Sequence, residues 1–206
     1  MPTTRSKDGA DPFPETRRLS LLFTALFYGL LGLLGFLWLL FFQDAHPAEY
    51  FHLRSIPLHG ILGLLLGGVV VLFSRISVSR FSWAKSMEDE FRTLLRDQPV
   101  WTIPLLALFS AVGEELFFRG ALQEVVGVWW QAAIFGLVHF PFSRKMWAWP
   151  IFAFGMGVVF GWVTVGTGTL WCAIVAHGAI NSLNMWIILR GTVCRKEQTS
   201  EEACEE

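Results

Sequence analysis

The run Leu19 to Phe42, LSLLFTALFYGLLGLLGFLWLLFF, carries no charge. A helix needs roughly 20 apolar residues to cross about 30 Å of hydrocarbon, so this run is long enough to span a bilayer alone. Its apolar core far exceeds the roughly 7 to 15 residues of a signal-peptide core. No small-x-small site follows closely, so it reads as a retained first span. Composition agrees. Of 206 residues 53% are hydrophobic and 16% charged, against about 45–50% and 25% in soluble domains. The expected solvent is lipid, and the net charge of −1 gives no reason to expect nucleic acid as a partner.

Working outward, Met1 to Arg18 is a polar, proline-containing leader, expected to be poorly ordered and cytoplasmic. Asp44 to Ile56 is a polar loop, and Leu58 to Phe73 a second, glycine-rich apolar run. From Arg75 to Gln98 charged residues alternate with Phe81, Trp83, Met87, Phe91 and Leu94 at helical spacing, the pattern of an amphipathic interfacial helix or of a solvated connector. Four further spans are expected at Ile103–Gly127, Trp129–Trp147, Pro150–Gly166 and Gly168–Leu189. The fold class is therefore all-α, a polytopic transmembrane bundle of about six spans forming one domain over 19–189. An acidic tail over 190–206 should lack fixed structure. With the N-terminus inside, both termini are cytoplasmic, and Arg54 and Arg119 are the basic residues off the cytoplasmic side. Cys172, Cys194 and Cys204 show no paired spacing, so no disulfide framework is expected. Gly157 and Gly161 form a G-x-x-x-G pair that suits close packing inside the bundle.

Charged side chains near the bilayer centre cost about 2.5 to 3.5 kcal/mol each on insertion scales, so those present need a reason. Glu114 and Glu115 fall mid-span in GEELFFRG, Gly113 to Gly120, with Arg119 a turn later. On a helix Glu115 and Arg119, four apart, share a face, whereas Glu114 points about 100° away. The pair accounts for Glu115 and leaves Glu114 free to act as a general base. His139 is expected near the centre of the fourth span, at a depth that depends on where that span ends; His177 and Asn181, four apart, share a face of the sixth. A lone intramembrane His or Asn is commonly interhelical hydrogen-bond glue. Two carboxylates, an Arg, two His and an Asn on three spans point to a site. His46, His52 and His59, in or beside the first outer loop, are read as ordinary surface residues.

Amide hydrolysis needs a base that activates water and donors for the oxyanion. Glu114 assisted by His139 can be the first, Asn181 and His177 the second. The sequence has no G-x-S-x-G nucleophile elbow and no H-E-x-x-H zinc motif. No cofactor is required by this chemistry, although two His and a carboxylate could ligate zinc.

E-E-x-x-x-R at Glu114, Glu115 and Arg119, F-x-x-x-H at Phe135 and His139, and H-x-x-x-N at His177 and Asn181 occur in that order. Over about residues 100–190 they resemble the CPBP family, the CAAX protease and bacteriocin-processing intramembrane endopeptidases. The resemblance implies an all-helical fold similar to the Ras-converting CAAX endopeptidase, with Glu114 and His139 activating water, His177 and Asn181 holding the oxyanion, and Glu115 with Arg119 in support. The family is described both as metalloproteases and as glutamate-dependent, so the resemblance leaves the metal open. It further implies a membrane-tethered or prenylated protein or peptide as substrate and, from the short length, a bacterial plasma-membrane setting. The rival readings are a non-catalytic scaffold or immunity protein and a proton-coupled transporter; the chain shows none of the repeat symmetry expected of the latter.

Overall fold

Lipid offers the backbone no hydrogen-bond partner, so a chain this apolar must satisfy its amides within helices. The computed structural model describes residues 21–42, 47–95, 98–140 and 143–202, without the side chains of 47–48 and 192–202, and among these no strand occurs. The helices are α1 (Leu21–Phe41), the single turn α2 (Pro47–Tyr50), α3 (Ile56–Arg80), α4 (Ser82–Leu95), α5 (Thr102–Glu114), α6 (Gln123–Val138), α7 (Trp149–Thr167) and α8 (Trp171–Glu202). A π-helical segment, Glu115–Leu122, joins α5 to α6. Five runs are long and apolar enough to cross a membrane. Leu22, Phe23, Leu26 and Phe27 stand exposed on α1, a surface that lipid covers and water would not. The protein is an integral membrane helix bundle, as its composition predicts.

The count of about six spans resolves into these five runs because the third, Thr102–Val138, is folded on itself. A straight helix would hold Glu114 and His139 about 37 Å apart at 1.5 Å per residue. Their side chains lie 3.9 Å apart. The reversal is at Gly127, whose φ of 77° and ψ of 170° belong to a region essentially open to glycine alone. The expected border between third and fourth spans falls at this residue. The expected end of the fourth span does not hold: the returning arm stops at Val138 rather than Trp147. Its 128–138 helix is only about 17 Å long, too short to cross alone.

Glycines set the packing directions. Gly32 meets Gly113 and Gly35 meets Leu116, so α1 runs parallel to α5 and the π segment. Gly63 packs on Cys172 and Val175 and Gly67 on Ala176 and Ala179, making α3 parallel to α8. Gly136 meets Pro150, while Gly157 and Gly161 meet Ala132 and Val128, making α6 antiparallel to α7. The G-x-x-x-G pair thus seats a helix of the same chain. These directions are those of six helical arms alternating in sense.

The amphipathic element is α4, shorter than the charged stretch suggested, because α3 continues to Arg80. It is held by Arg75–Glu88 at 2.6 Å, by Lys145–Glu90 at 3.3 Å, and by Phe91 against the Trp149 ring. Past Arg190, where the tail was expected to lack fixed structure, α8 continues as helix to Glu202. Cys172 is a buried free thiol. The leader, His46 and Cys204 lie outside the described residues, as does the side chain of Cys194.

Replacing Gly127 by Ala should destabilise the protein by about 1–3 kcal/mol, because an added Cβ meets no atom within 4 Å and the cost is backbone strain alone. Gly155→Ala on α7, also with open space but at helical φ, should be neutral or stabilising. Thermal unfolding of both variants in detergent checks the contrast.

Candidate active site

Glu115 anchors the site. It is wholly buried, and its Oε1 accepts from Arg119 Nη1 at 3.0 Å and from His177 Nδ1 at 2.7 Å. The first bond is the same-face pairing expected from the sequence; the second crosses from the π segment to α8. Arg119 is also fully buried, with its guanidinium 4.3 Å from the Phe135 ring centre and 5.3 Å from that of Phe160. Its Nε and Nη2 make no hydrogen bond, so the two ring faces meet that part of its charge. Phe160 also stacks on His177, and Phe135 lies against His139. Two aromatic rings therefore tie the ion pair to both imidazoles.

Glu114 is 5% exposed, and its Oε2 has no hydrogen-bond partner. That oxygen lies 3.9 Å from His139 Nε2 and 3.8 Å from His177 Nε2. The other nitrogen of each ring is committed. His139 Nδ1 is 2.6 Å from the Phe135 carbonyl, which can only accept, so the proton sits on Nδ1. His177 Nδ1 donates to Glu115. When the imidazoles are neutral, three acceptors, one carboxylate oxygen and two Nε2 lone pairs, face one spot. Such a spot calls for a donor, and a water molecule supplies two.

His139 does not sit at the centre of a span as expected; it caps the C-terminal end of α6. The convergence survives because Glu114 and His139 lie almost equally far in sequence from Gly127, before and after the reversal, and so at one depth. Arg119 and Phe135 are likewise equidistant from it.

Asn181 is a turn beyond His177 on α8. Its Nδ2 donates to Ser110 Oγ at 2.9 Å, and that hydroxyl donates to the Ala107 carbonyl at 3.2 Å. The amide is thereby oriented, with a second N–H to offer. Glu114, Glu115, Arg119, His139 and His177 meet in this cluster, and Asn181 is tied to Ser110, one turn before Glu114.

Two residues that sequence reasoning missed belong here. Ser110 had a signal: it is four residues before Glu114, hence on its face. Tyr28 had none. Its hydroxyl lies beside the Glu114 carboxylate, and it arrives there because Gly113 leaves room for the Tyr28 backbone, which a Cβ at 113 would strike.

Zinc accepts two His and a carboxylate. Among the described residues, however, no three His, Cys, Asp or Glu are spaced to hold an ion. No step is derived through a metal.

Comparison with known proteins covers the same stretch. Residues 96–183 match the family model described as Type II CAAX prenyl endopeptidase Rce1-like. The resemblance read from the three motifs is borne out over this segment, which includes Glu114 through Asn181 and excludes Tyr28. The chain is also 33% identical over 87 residues to the uncharacterized protein YpbD of Bacillus subtilis, a match that takes in 39% of this chain and 42% of that protein. No solved structure matches.

Arg119→Ala should cost about 3–5 kcal/mol, because it strands Glu115 as a buried charge. Removing both charges, as in Arg119→Met with Glu115→Leu, should cost less than that single change. Unfolding midpoints of the two variants provide the comparison.

Proposed function

We propose, from the Rce1-like character of residues 96–183, that this protein is an intramembrane endopeptidase of the CAAX type. In this reading Glu114 serves as its base and no resident metal takes part. The substrate is a lipid-modified or membrane-tethered protein or peptide, cut near its C-terminus or anchor. The observation that carries the reading is the buried, unpartnered Glu114 Oε2 faced by two Nε2 atoms.

Water held there gives one proton to Glu114 as its oxygen attacks the scissile carbonyl carbon. His139, its proton fixed on Nδ1, accepts from the same water through Nε2 and aims it. The charge developing on the carbonyl oxygen is met by the free N–H of Asn181 and by His177 when its Nε2 has taken a proton from bulk water before the attack, a cation that Glu115 is placed to stabilise. Collapse of the tetrahedral intermediate breaks the C–N bond, and the proton on Glu114 passes to the leaving amine. Arg75, Arg92 and Lys145 gather where α4 meets the ends of α3 and α6; we place this end in the cytoplasm, with both termini.

Glu114→Gln should reduce cleavage of a co-expressed membrane-anchored substrate by at least about 10²-fold, with the protein still inserted at normal abundance. Full activity in that variant would overturn the mechanism. Chelators applied to the purified protein should leave its rate unchanged; loss of activity restored by zinc would overturn the metal-free step.

A further inference from the structure

His139 stands where α6 stops, with 19% of its side chain exposed, yet hydrolysis needs its Nε2 aimed at one spot. The hydrogen bond from its Nδ1 goes to the Phe135 carbonyl of the same helix. A bond at one nitrogen leaves the ring free to tilt about it, so the direction of the other nitrogen is set by what packs on the imidazole. Two rings do so. Phe135, 4.4 Å away between ring centres, belongs to α6 itself. Trp149, 5.7 Å away at an interplanar angle of 64°, comes from another helix.

Trp149 opens α7, and the close approach of the two helix ends is built in. A Cβ at Gly136, three residues before His139, would strike the Pro150 carbonyl. The indole is itself held. Phe152, one turn on, stacks with it at 5.8 Å and 20°, and Phe91 of α4 meets it edge to face at 4.9 Å and 73°. The ion pairs Arg75–Glu88 and Lys145–Glu90 tie α4 to α3 and to the α6–α7 connection, which keeps Phe91 in place. Edge-to-face ring pairs prefer a definite orientation, so a chain of them passes direction from one ring to the next.

We propose that Trp149 is a positioning residue for hydrolysis: it holds the His139 imidazole so that Nε2 points at the water beside Glu114, with Phe91 as its backing. The proposal rests on the peptidase reading above. Trp149 transfers no proton in this role and acts through His139. The amphipathic helix α4 thereby bears on the site through two rings without supplying a reacting group.

One arm of the test needs no substrate. Nitrogen-15 shifts of the histidine rings are recorded on the full chain in detergent at pH about 9, where an imidazole is neutral, and His139 is assigned by its loss in His139→Ala. The unaltered protein should show His139 as one tautomer, protonated on Nδ1, and Trp149→Ala the averaged shifts of both. Trp149→Phe, which keeps an aromatic edge, should keep the single tautomer. A single Nδ1 tautomer in Trp149→Ala would overturn the proposal. The second arm is cleavage of a prenylated peptide with a C-terminal CAAX sequence. Trp149→Ala should lower kcat at least about tenfold with KM within about twofold, and Trp149→Phe should recover most of the loss. Phe91→Ala should act in the same sense to a smaller extent, and it carries both arms if Trp149→Ala does not fold. Trp147→Ala, at an exposed indole nearby, should change neither constant. A raised KM at unchanged kcat in Trp149→Ala would overturn the proposal by making the indole a wall for substrate. Full activity in Glu114→Gln would instead remove the hydrolytic mechanism, while the tautomer measurement still decides whether Trp149 holds His139.

Discussion

Glu115 is a carboxylate without access to solvent, and a single oxygen of it holds both Arg119 and His177. An unmatched charge there would be expelled or neutralised, so the two partners are a condition of the bundle as well as of the site. Because Glu115 takes the guanidinium, Glu114 keeps a free oxygen. Because Glu115 takes Nδ1 of His177, the other imidazole nitrogen faces that oxygen. The roles of two adjacent and chemically identical residues are divided by what each one touches.

That division depends on close backbone approach. Gly32, Gly35 and Gly113 bring α1 against the start of the π segment, which delivers Tyr28 to Glu114. On the other side Gln131 and Gln123 donate to the carbonyls of Gly157 and Gly161, fixing α7 to the returning arm. Phe160 then lies between Arg119 and His177. In lipid the hydrophobic effect gives helices little reason to associate, so small residues and interhelical hydrogen bonds supply the cohesion. The π-helical turn belongs to the same economy of space: such turns recur at functional sites, and this one carries both Glu115 and Arg119.

The hairpin at Gly127 links the two ends of the molecule. Toward its open end it sets Glu114 beside His139, and near its tip it places Gln123 and Glu124 by Tyr50, Thr164 and Val165. One glycine-only backbone conformation thus positions both polar regions, although they face different helices.

The sequence by itself determined that the chain is all-helical and lives in lipid, since run length and the absence of charge depend on no contact. It also determined the Glu115–Arg119 pairing and the shared face of His177 and Asn181, because helical periodicity is local. The depth of His139 was open to sequence reasoning only in part: the symmetry of Glu114 and His139 about Gly127 is legible, but that the chain reverses there is not. The commitment of His177 to Glu115, the arrival of Tyr28 and the ring contacts of Phe160 were decided by tertiary structure alone. Each joins helices remote in sequence, and which faces meet is set by where glycines let two backbones touch.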